Sequence, residues 1–190
     1  MERLVALAEA LGQQNDFDEI LRVVAHQAAS LLNAETALIM MINPQTHQTV
    51  KAIFKTGSNV AEPKYHGLNL EIAGWVAKHR RSLLSSDIQQ DSRFNKKHFR
   101  GLTIKSVMCV ALRLEGVMIG SLLLSNQKQG GEFSEKDIAY LEKFAAIVAP
   151  FLRNVQKIRQ YFVAPLPEAT LLAKYGSVGL LGKSKVFTAL

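Results

Sequence analysis

Cysteine is nearly absent from this sequence, and its scarcity limits the kinds of protein that the chain can be. Cys109 is the single cysteine among 190 residues, so no intramolecular disulfide can form, and the chain suits the reducing conditions of the cytoplasm. Long apolar runs are absent too. The longest, residues 145–152, is far shorter than the roughly 20 residues that a membrane-spanning helix needs. We therefore predict a cytoplasmic protein with no membrane partner.

Motifs of catalysis and metal binding are also missing. The sequence has no Gly-x-Ser-x-Gly elbow and no kinase catalytic motif. Gly182-Lys183-Ser184 resembles the end of a phosphate-binding loop, but that loop needs a glycine at position 177, where Ser177 stands. The five histidines show no metal-ligand spacing with one another or with Cys109. We therefore predict no catalytic activity and no metal.

Positive charge is concentrated in two segments. Residues 150–190 hold six Lys or Arg and one acid, and residues 78–105 hold eight Lys or Arg and two acids. Such charge can serve nucleic-acid binding, but no helix-turn-helix pattern, zinc spacing or aromatic-basic strand motif accompanies it. We expect solvated basic surfaces and no direct contact between this chain and nucleic acid.

Hydrophobic periodicity predicts an alternation of helices and hairpins. In chain order, the predicted elements are helices over 2–13 and 16–32, strands over 36–43 and 50–57, a loop or short strand over 58–70, a helix over 71–79, strands over 105–114 and 117–126, and a helix from Ser134. The hydrophobic fraction, 48%, suffices for a core, most simply as one domain plus appendages.

The second hairpin gives the strongest constraint on the fold. Both of its strands, 105–114 and 117–126, are apolar on consecutive residues, so both faces of the sheet must be covered. The expected class is α+β: an antiparallel sheet of about six strands, with the N- and C-terminal helices on one face. Residues 58–104 then cover the other face, and a cavity between that segment and the sheet is the expected binding site.

The C-terminal helix carries the clearest periodicity in the chain. Ser134 is a suitable N-cap, and apolar residues recur from Leu141 at alternating steps of three and four. Beyond Pro150, which should kink the helix, we expect it to leave the sheet and pair with a second copy of the chain. The predicted dimer contacts are Phe151, Val155, Ile158 and Phe162, together with Leu4, Leu7 and Leu11 of the first helix.

Four segments resemble, in order, the pattern of a GAF domain. They are DFDEILRVVAHQAASLLNAETALIMMIN, IAGWVAKHRRSLLSSDIQQDSRF, VMCVALRLEGVMIGSLLLSN and FSEKDIAYLEKFAAIVAPFLRN. The resemblance covers roughly residues 5–155 and implies a GAF sensory domain over 1–155, whose dimerisation helix spans 134–163. It leaves the ligand open, since GAF domains bind cyclic nucleotides, haem, bilins, small acids or iron, and many have no known ligand.

The resemblance argues against several of these ligands. Cyclic-nucleotide-binding members carry Asn-Lys and later Asp-Glu, whereas here Gln127 follows Asn126 and Ile138 replaces the glutamate. Bilin attachment would be expected at a Cys-His pair, but Val110 follows Cys109. An iron site assembled from Asp87, Asp91, His98 and Cys109 is an alternative, and we favour solvated loop acids over it.

A second resemblance concerns the C-terminal segment. KYGSVGLLGKSKVFTAL is similar to the segment that leads into the AAA+ domain of sigma-54-dependent transcription activators, where a short Ile-Gly-Lys/Glu-Ser motif precedes the first helix. Leu181-Gly182-Lys183-Ser184 matches that place. The resemblance implies that 164–190 is a linker and the start of an AAA+ ATPase domain of the same polypeptide. The alternative is a ligand-free dimerisation scaffold that feeds another output, such as a histidine kinase.

The basic segment 78–105 supplies candidate ligand contacts. Arginine binds carboxylate or phosphate through paired donors, so we predict a small anionic or polar ligand between this segment and the 105–126 hairpin. The predicted polar contacts are Arg93, His98 and Arg100, and the residues expected near the cavity are Trp75, Phe94, Phe99 and Cys109. The alternative for Arg93 is a structural role, in which it bonds loop carbonyls.

Overall fold

The structure is a computed structural model that describes residues 16–42, 49–55, 63–99, 103–127 and 130–163. The predicted helix over 2–13, with Leu4, Leu7 and Leu11, lies outside the described residues, as does the segment 164–190. No helix among the described residues has both the length and the apolar character needed to cross a membrane.

Helix α1 (Phe17–Leu31) begins where its capping residue predicts. The carboxylate of Asp16 accepts hydrogen bonds from the amides of Asp18 (2.8 Å) and Glu19 (3.3 Å). These bonds satisfy two amides that have no partner within the helix, and the two acids of the first turn suit the positive end of the helix dipole. Asp16 is therefore the N-cap of this helix.

Five strands form one antiparallel sheet among the described residues, where about six strands were expected. They are β1 (Ala34–Ile42), β2 (Thr49–Lys55), β3 (Leu83–Ser85), β4 (Val107–Leu114) and β5 (Val117–Gln127), in the spatial order β2-β1-β5-β4-β3. Both predicted hairpins pair as expected. Glu115 (φ 51°) and Gly116 (φ 79°) both adopt positive φ, as tight hairpin turns require.

The sheet is covered on both faces, as its uninterrupted apolar strands predicted. The helix-face core contains Met108, Val110 and Leu112 of β4 and packs against α1 and the C-terminal helix. The opposite face carries Val107 and Cys109, and a second cluster, the α2-face core, lies there. The residues of this second core that come from outside the sheet are Leu68, Ile72, Val76, Ile88, Phe94, Phe99 and Ile104.

Helix α2 (Pro63–His79) is longer than predicted. The sequence indicated a helix only from residue 71, with a loop or short strand over 58–70, and for residues 63–70 that prediction is wrong. Pro63 stands at the first helical position, where its missing amide costs nothing. Burial of Leu68, Ile72 and Val76 against the sheet offsets the low helix propensity of the glycines inside α2.

Helix α3 (Glu135–Val163) contains Pro150 and connects the sheet with the predicted dimerisation segment. Its N-cap is reciprocal: the Ser134 amide donates to the Asp137 carboxylate (2.7 Å), and the Asp137 amide donates to Ser134 Oγ (3.3 Å). Packing on the helix-face core continues past Pro150, because Leu152 is fully buried and Phe151 packs against that core. The expectation that the helix leaves the sheet directly after Pro150 is therefore wrong, since residues 151 and 152 still pack on the core.

Candidate functional site

Arg93 is held by protein groups rather than left open to a ligand. Its Nε and Nη2 atoms donate to the Asp91 carboxylate at 2.8 and 2.6 Å, and Nη2 also donates to the Leu84 carbonyl at 2.8 Å. The guanidinium lies 5.3 Å from the centre of the Trp75 ring. These bonds hold the 85–95 loop against β3. The alternative prediction for Arg93 was a structural role of this kind.

Asp91 completes this arrangement. Hydrogen bonds from the Arg93 side chain lower the pKa of Asp91 to about 2, against the opposing effect of partial burial. The carboxylate also accepts a hydrogen bond from the Arg93 amide (3.0 Å). Asp91 is therefore ionised at neutral pH and neutralises Arg93, so this arginine offers little net charge to an anion.

Trp75 forms an aromatic surface beside this ion pair. The His79 ring stacks on it with ring centres 4.4 Å apart, and the Arg81 guanidinium lies 5.4 Å from the indole centre. The centre of the Phe94 ring lies 6.3 Å from the centre of the Trp75 ring. Two arginines therefore share one indole, an arrangement in which cation–π attraction holds both guanidinium groups in place.

Most of the other predicted contacts belong to the core. Phe94, Phe99 and Cys109 are buried members of the α2-face core. Burial raises the pKa of the Cys109 thiol far above its ordinary value, so the sulfur remains protonated and unreactive at neutral pH. The side chain of His98 and all of Arg100 lie outside what the structure describes, so their role as ligand contacts stays a prediction.

Asn126 has a structural role rather than the one expected of a cyclic-nucleotide site. Its Oδ1 accepts from the Lys105 amide (2.8 Å), and its Nδ2 donates to the Thr103 carbonyl (2.9 Å) and to Glu35 (3.0 Å). Ile138, which replaces the family's glutamate, is buried in the helix-face core. The described parts of the chain contain no group of three His, Cys, Asp or Glu that could hold a metal ion.

An open cavity lies elsewhere, between the C-terminal half of α2 and the end of the β4–β5 hairpin. Its volume is about 520 Å³, within the range of small-molecule sites. Its lining includes Met40 of β1, Ala73, Gly74 and Ala77 of α2, and Val117 and Met118 of β5. We call it the hairpin cavity.

Two arginines stand at the wall of the hairpin cavity. Arg80 and Arg113 line it, and both also line a neighbouring cavity of about 380 Å³ at the edge of β4, which Ser82 and Glu142 border. Ser82 Oγ donates to the Glu142 carboxylate there (2.6 Å). Arg80 directly follows α2 and has φ of 55°, a left-handed conformation that glycine usually supplies at this position.

The sequence predicted an anionic site between residues 78–105 and the 105–126 hairpin, and it named other residues for it. Of the lining of the hairpin cavity, Arg80 belongs to the first of these segments and Arg113 and residues 116–118 to the second, whereas the α2 residues between positions 70 and 77 and the β1 residues lie outside both. The predicted ligand contacts did not include Arg80, which was only part of the basic segment 78–105, and they did not include Arg113. A usable signal was Arg113 itself, a charged residue inside an otherwise apolar strand.

Comparisons with known proteins agree with this architecture. The model of the GAF domain family matches residues 16–150. A probable 3',5'-cyclic phosphodiesterase of Caenorhabditis elegans is 26% identical over 160 residues, which is 75% of this chain but only 22% of that protein. The chain therefore spans about a fifth of that relative's length.

Solved structures share the fold at low identity. The GAF domain of an Acinetobacter phosphoenolpyruvate-protein phosphotransferase is 15% identical, with a TM-score of 0.62 over 83% of this chain and 94% of that one. The free methionine-R-sulfoxide reductase of Neisseria meningitidis is 16% identical, with a TM-score of 0.62 over 82% and 89%. The match of the family model, the α+β order and the sheet covered on both faces agree: this chain belongs to the GAF domain family.

Proposed function

We propose that this chain is a small-molecule sensor that controls the AAA+ ATPase domain of a sigma-54-dependent transcription activator. GAF domains are small-molecule-sensing regulatory domains. This chain belongs to that family and therefore has that general role. The observation that carries the specific proposal is the segment Leu181-Gly182-Lys183-Ser184, which resembles the approach to such an ATPase domain. The sequence lacks the Gly-x-Ser-x-Gly elbow and the kinase catalytic motif, and we propose that the chain acts through the attached domain.

The sheet offers a physical route from ligand to output. The hairpin cavity lies on the α2 side of β1, β4 and β5, whereas α3 packs on the opposite side of the sheet, against residues such as Val110 and Leu122. A ligand that moves the end of the hairpin would therefore shift the surface on which α3 rests. Because α3 extends to Val163, that shift would reach the segment that precedes the ATPase domain.

The output assignment has a direct test. We expect a complete phosphate-binding loop within a few dozen residues after Leu190 in the full-length polypeptide, and an ATPase rate that changes when residues 1–163 are deleted. The measurements are the downstream coding sequence and ATP hydrolysis by the two forms. A downstream domain without that loop, for example a histidine kinase, would overturn the sigma-54 assignment and favour the scaffold alternative.

Dimerisation through α3 is the second part of the proposal. Val155 and Ile158 continue in sequence the apolar stripe of α3 that includes the buried Leu152. We expect the chain to be dimeric in solution and the double variant Val155→Asp, Ile158→Asp to be monomeric, since two carboxylates in an apolar helix contact leave unpaired charge. The measurement is molar mass by light scattering after size exclusion.

The control places two aspartates on the exposed part of the same helix. Ala139 and Lys143 are exposed, so Ala139→Asp with Lys143→Asp should leave the dimer intact. A monomeric parent chain would remove α3 pairing from the proposal. So would a Val155→Asp, Ile158→Asp variant that dimerises as well as the parent.

A further inference from the structure

The hairpin cavity combines an apolar wall with unopposed positive charge. Ala73 and Ala77 of α2 face Val117 and Met118 of β5 across it, and these side chains can contact only the apolar part of a ligand. Arg80 and Arg113 are its charged residues, and no acidic residue stands among the described residues that line it. The lining therefore carries two positive charges and no negative one.

Other arginines of the described chain are already engaged. Arg22 pairs with Glu19, Arg93 with Asp91 and Arg153 with Glu115, and Arg81 rests on Trp75. For Arg80 and Arg113 we find no hydrogen bond or ion pair among the described residues. Two guanidinium groups at a cavity whose described lining holds no acidic side chain repel each other and attract an external anion. Glu142, which borders the neighbouring cavity, accepts a hydrogen bond from Ser82.

The backbone at Arg80 indicates that the side chain is kept at a cost. A residue with a Cβ in the left-handed region is less stable there than glycine by about 1 kcal/mol. Arg80 has φ of 55°, so stability alone would favour glycine at this helix end. Backbone strain of this kind is common at functional sites, where a side chain is retained for its function in spite of the stability that it costs.

A buried hydroxyl lies on the same side of the sheet as the hairpin cavity. Ser121 of β5 is paired with Met40 of β1, and paired residues of antiparallel strands direct their side chains to the same face of the sheet. Met40 lines the hairpin cavity, and Ser121 lies on the same α2 side of the sheet without being one of the lining residues. Ser121 Oγ is completely buried and has no hydrogen-bond partner among the described residues, which costs about 1–3 kcal/mol unless a water supplies one.

We propose that the hairpin cavity binds a small organic carboxylate, with Arg80 and Arg113 on the carboxylate and the apolar wall around its carbon skeleton. Arginine suits this task because its planar donors match the two carboxylate oxygens. This inference rests on the proposed sensory function and adds the class of ligand and the residues that select it.

The test compares acids with their uncharged amides on the 190-residue chain. Probes are the straight-chain acids from propanoate to octanoate and benzoate, each matched with its amide, measured by thermal shift and calorimetry. At a concentration of 100 times its dissociation constant, a bound acid adds roughly 2.7 kcal/mol to stability, and the matched amide should add nothing measurable. Arg80→Gly and Arg113→Gln should each weaken acid binding by roughly tenfold or more.

Two controls separate binding from folding. Arg22→Gln removes the same charge from an exposed site on α1 and should leave the dissociation constant unchanged. Arg80→Gly should unfold at the same urea concentration as the parent or at a higher one, since glycine suits its backbone. If Arg80→Gly binds the acid more weakly without being less stable, the lost affinity comes from the missing arginine contact and not from unfolding.

Three outcomes would overturn the inference. They are equal binding of acids and amides, parental affinity in both Arg80→Gly and Arg113→Gln, and a panel in which no carboxylate raises the melting temperature. A different compound that stabilises the chain while the carboxylates do not would reject this ligand class and leave the sensory function standing. Failure of the ATPase test would reject the output domain and leave carboxylate binding standing.

Discussion

Gly120→Ala is expected to reduce the free energy of unfolding by about 2–4 kcal/mol. A Cβ at this position would overlap the carbonyl oxygen of Met40 and crowd Met41 and Leu112. Gly120 lies in β5, between β1 and β4, so neither neighbour can retreat without breaking its own ladder. Unlike the end of a flexible side chain, the backbone carbonyl has no alternative rotamer. Urea unfolding followed by circular dichroism measures the loss.

Gly67→Ala is the matched control for this substitution. Gly67 lies within α2, and an added Cβ there meets nothing within 4 Å. Alanine should therefore raise stability by about 0.5–1 kcal/mol through its higher helix propensity. Equal effects of the two substitutions would show that backbone crowding in β5 is not what requires glycine at position 120.

Arg93→Ala is expected to lower stability by about 2–3 kcal/mol. The substitution removes the hydrogen bonds to Asp91 and to the Leu84 carbonyl, and it leaves behind a carboxylate whose side chain is only 8% exposed. Arg93 itself is 33% exposed, so solvent screening keeps the loss below that of a fully buried pair. The measurement is urea unfolding at neutral pH, where Asp91 is ionised.

Arg22→Ala supplies the comparison for Arg93. Arg22 makes one exposed ion pair with Glu19 on the same helix, and its loss should change stability by less than about 0.5 kcal/mol. If Arg93→Ala matched this small effect, Arg93 would not be structural. It would then again be an expected ligand contact, as Arg80 and Arg113 are at the hairpin cavity.

Local patterns determined several elements of this fold. The caps at Asp16 and Ser134 and the Glu115-Gly116 turn each involve residues that are neighbours in sequence, so the sequence displays them directly. The apolar strands of the second hairpin predicted a sheet covered on both faces, because unpaired apolar faces cannot remain in water. Periodicity predicted α3 because the apolar stripe of a helix must also be removed from water. The α+β class and both hairpins followed from these signals, and the family followed from the resemblance of four segments to the GAF pattern.

Other features depended on tertiary contacts. Residues 63–70 are helical because three side chains of α2 are buried on the sheet. The helix propensity of α2, which contains a proline and two glycines, does not include the free energy of that burial. Gly120 is required by the carbonyl of a strand that lies about eighty residues earlier in the chain. The sequence left Arg93 open to two roles, ligand contact or structural residue, and its bonds to Asp91 and the Leu84 carbonyl favour the structural one.

The candidate ligand site shows the difference most clearly. Basic residues in 78–105 and an arginine within β4 were visible in the sequence, but nothing there indicated which of them meet. Arg80 and Arg113 share a cavity because α2 ends over the sheet just where the β4–β5 hairpin turns, and that position follows from the order of the strands. Helix caps, turns and periodicity arise from contacts within a few residues, so the sequence alone determined them. The convergence of distant side chains is decided by how strands and helices pack, and only the tertiary structure supplies it.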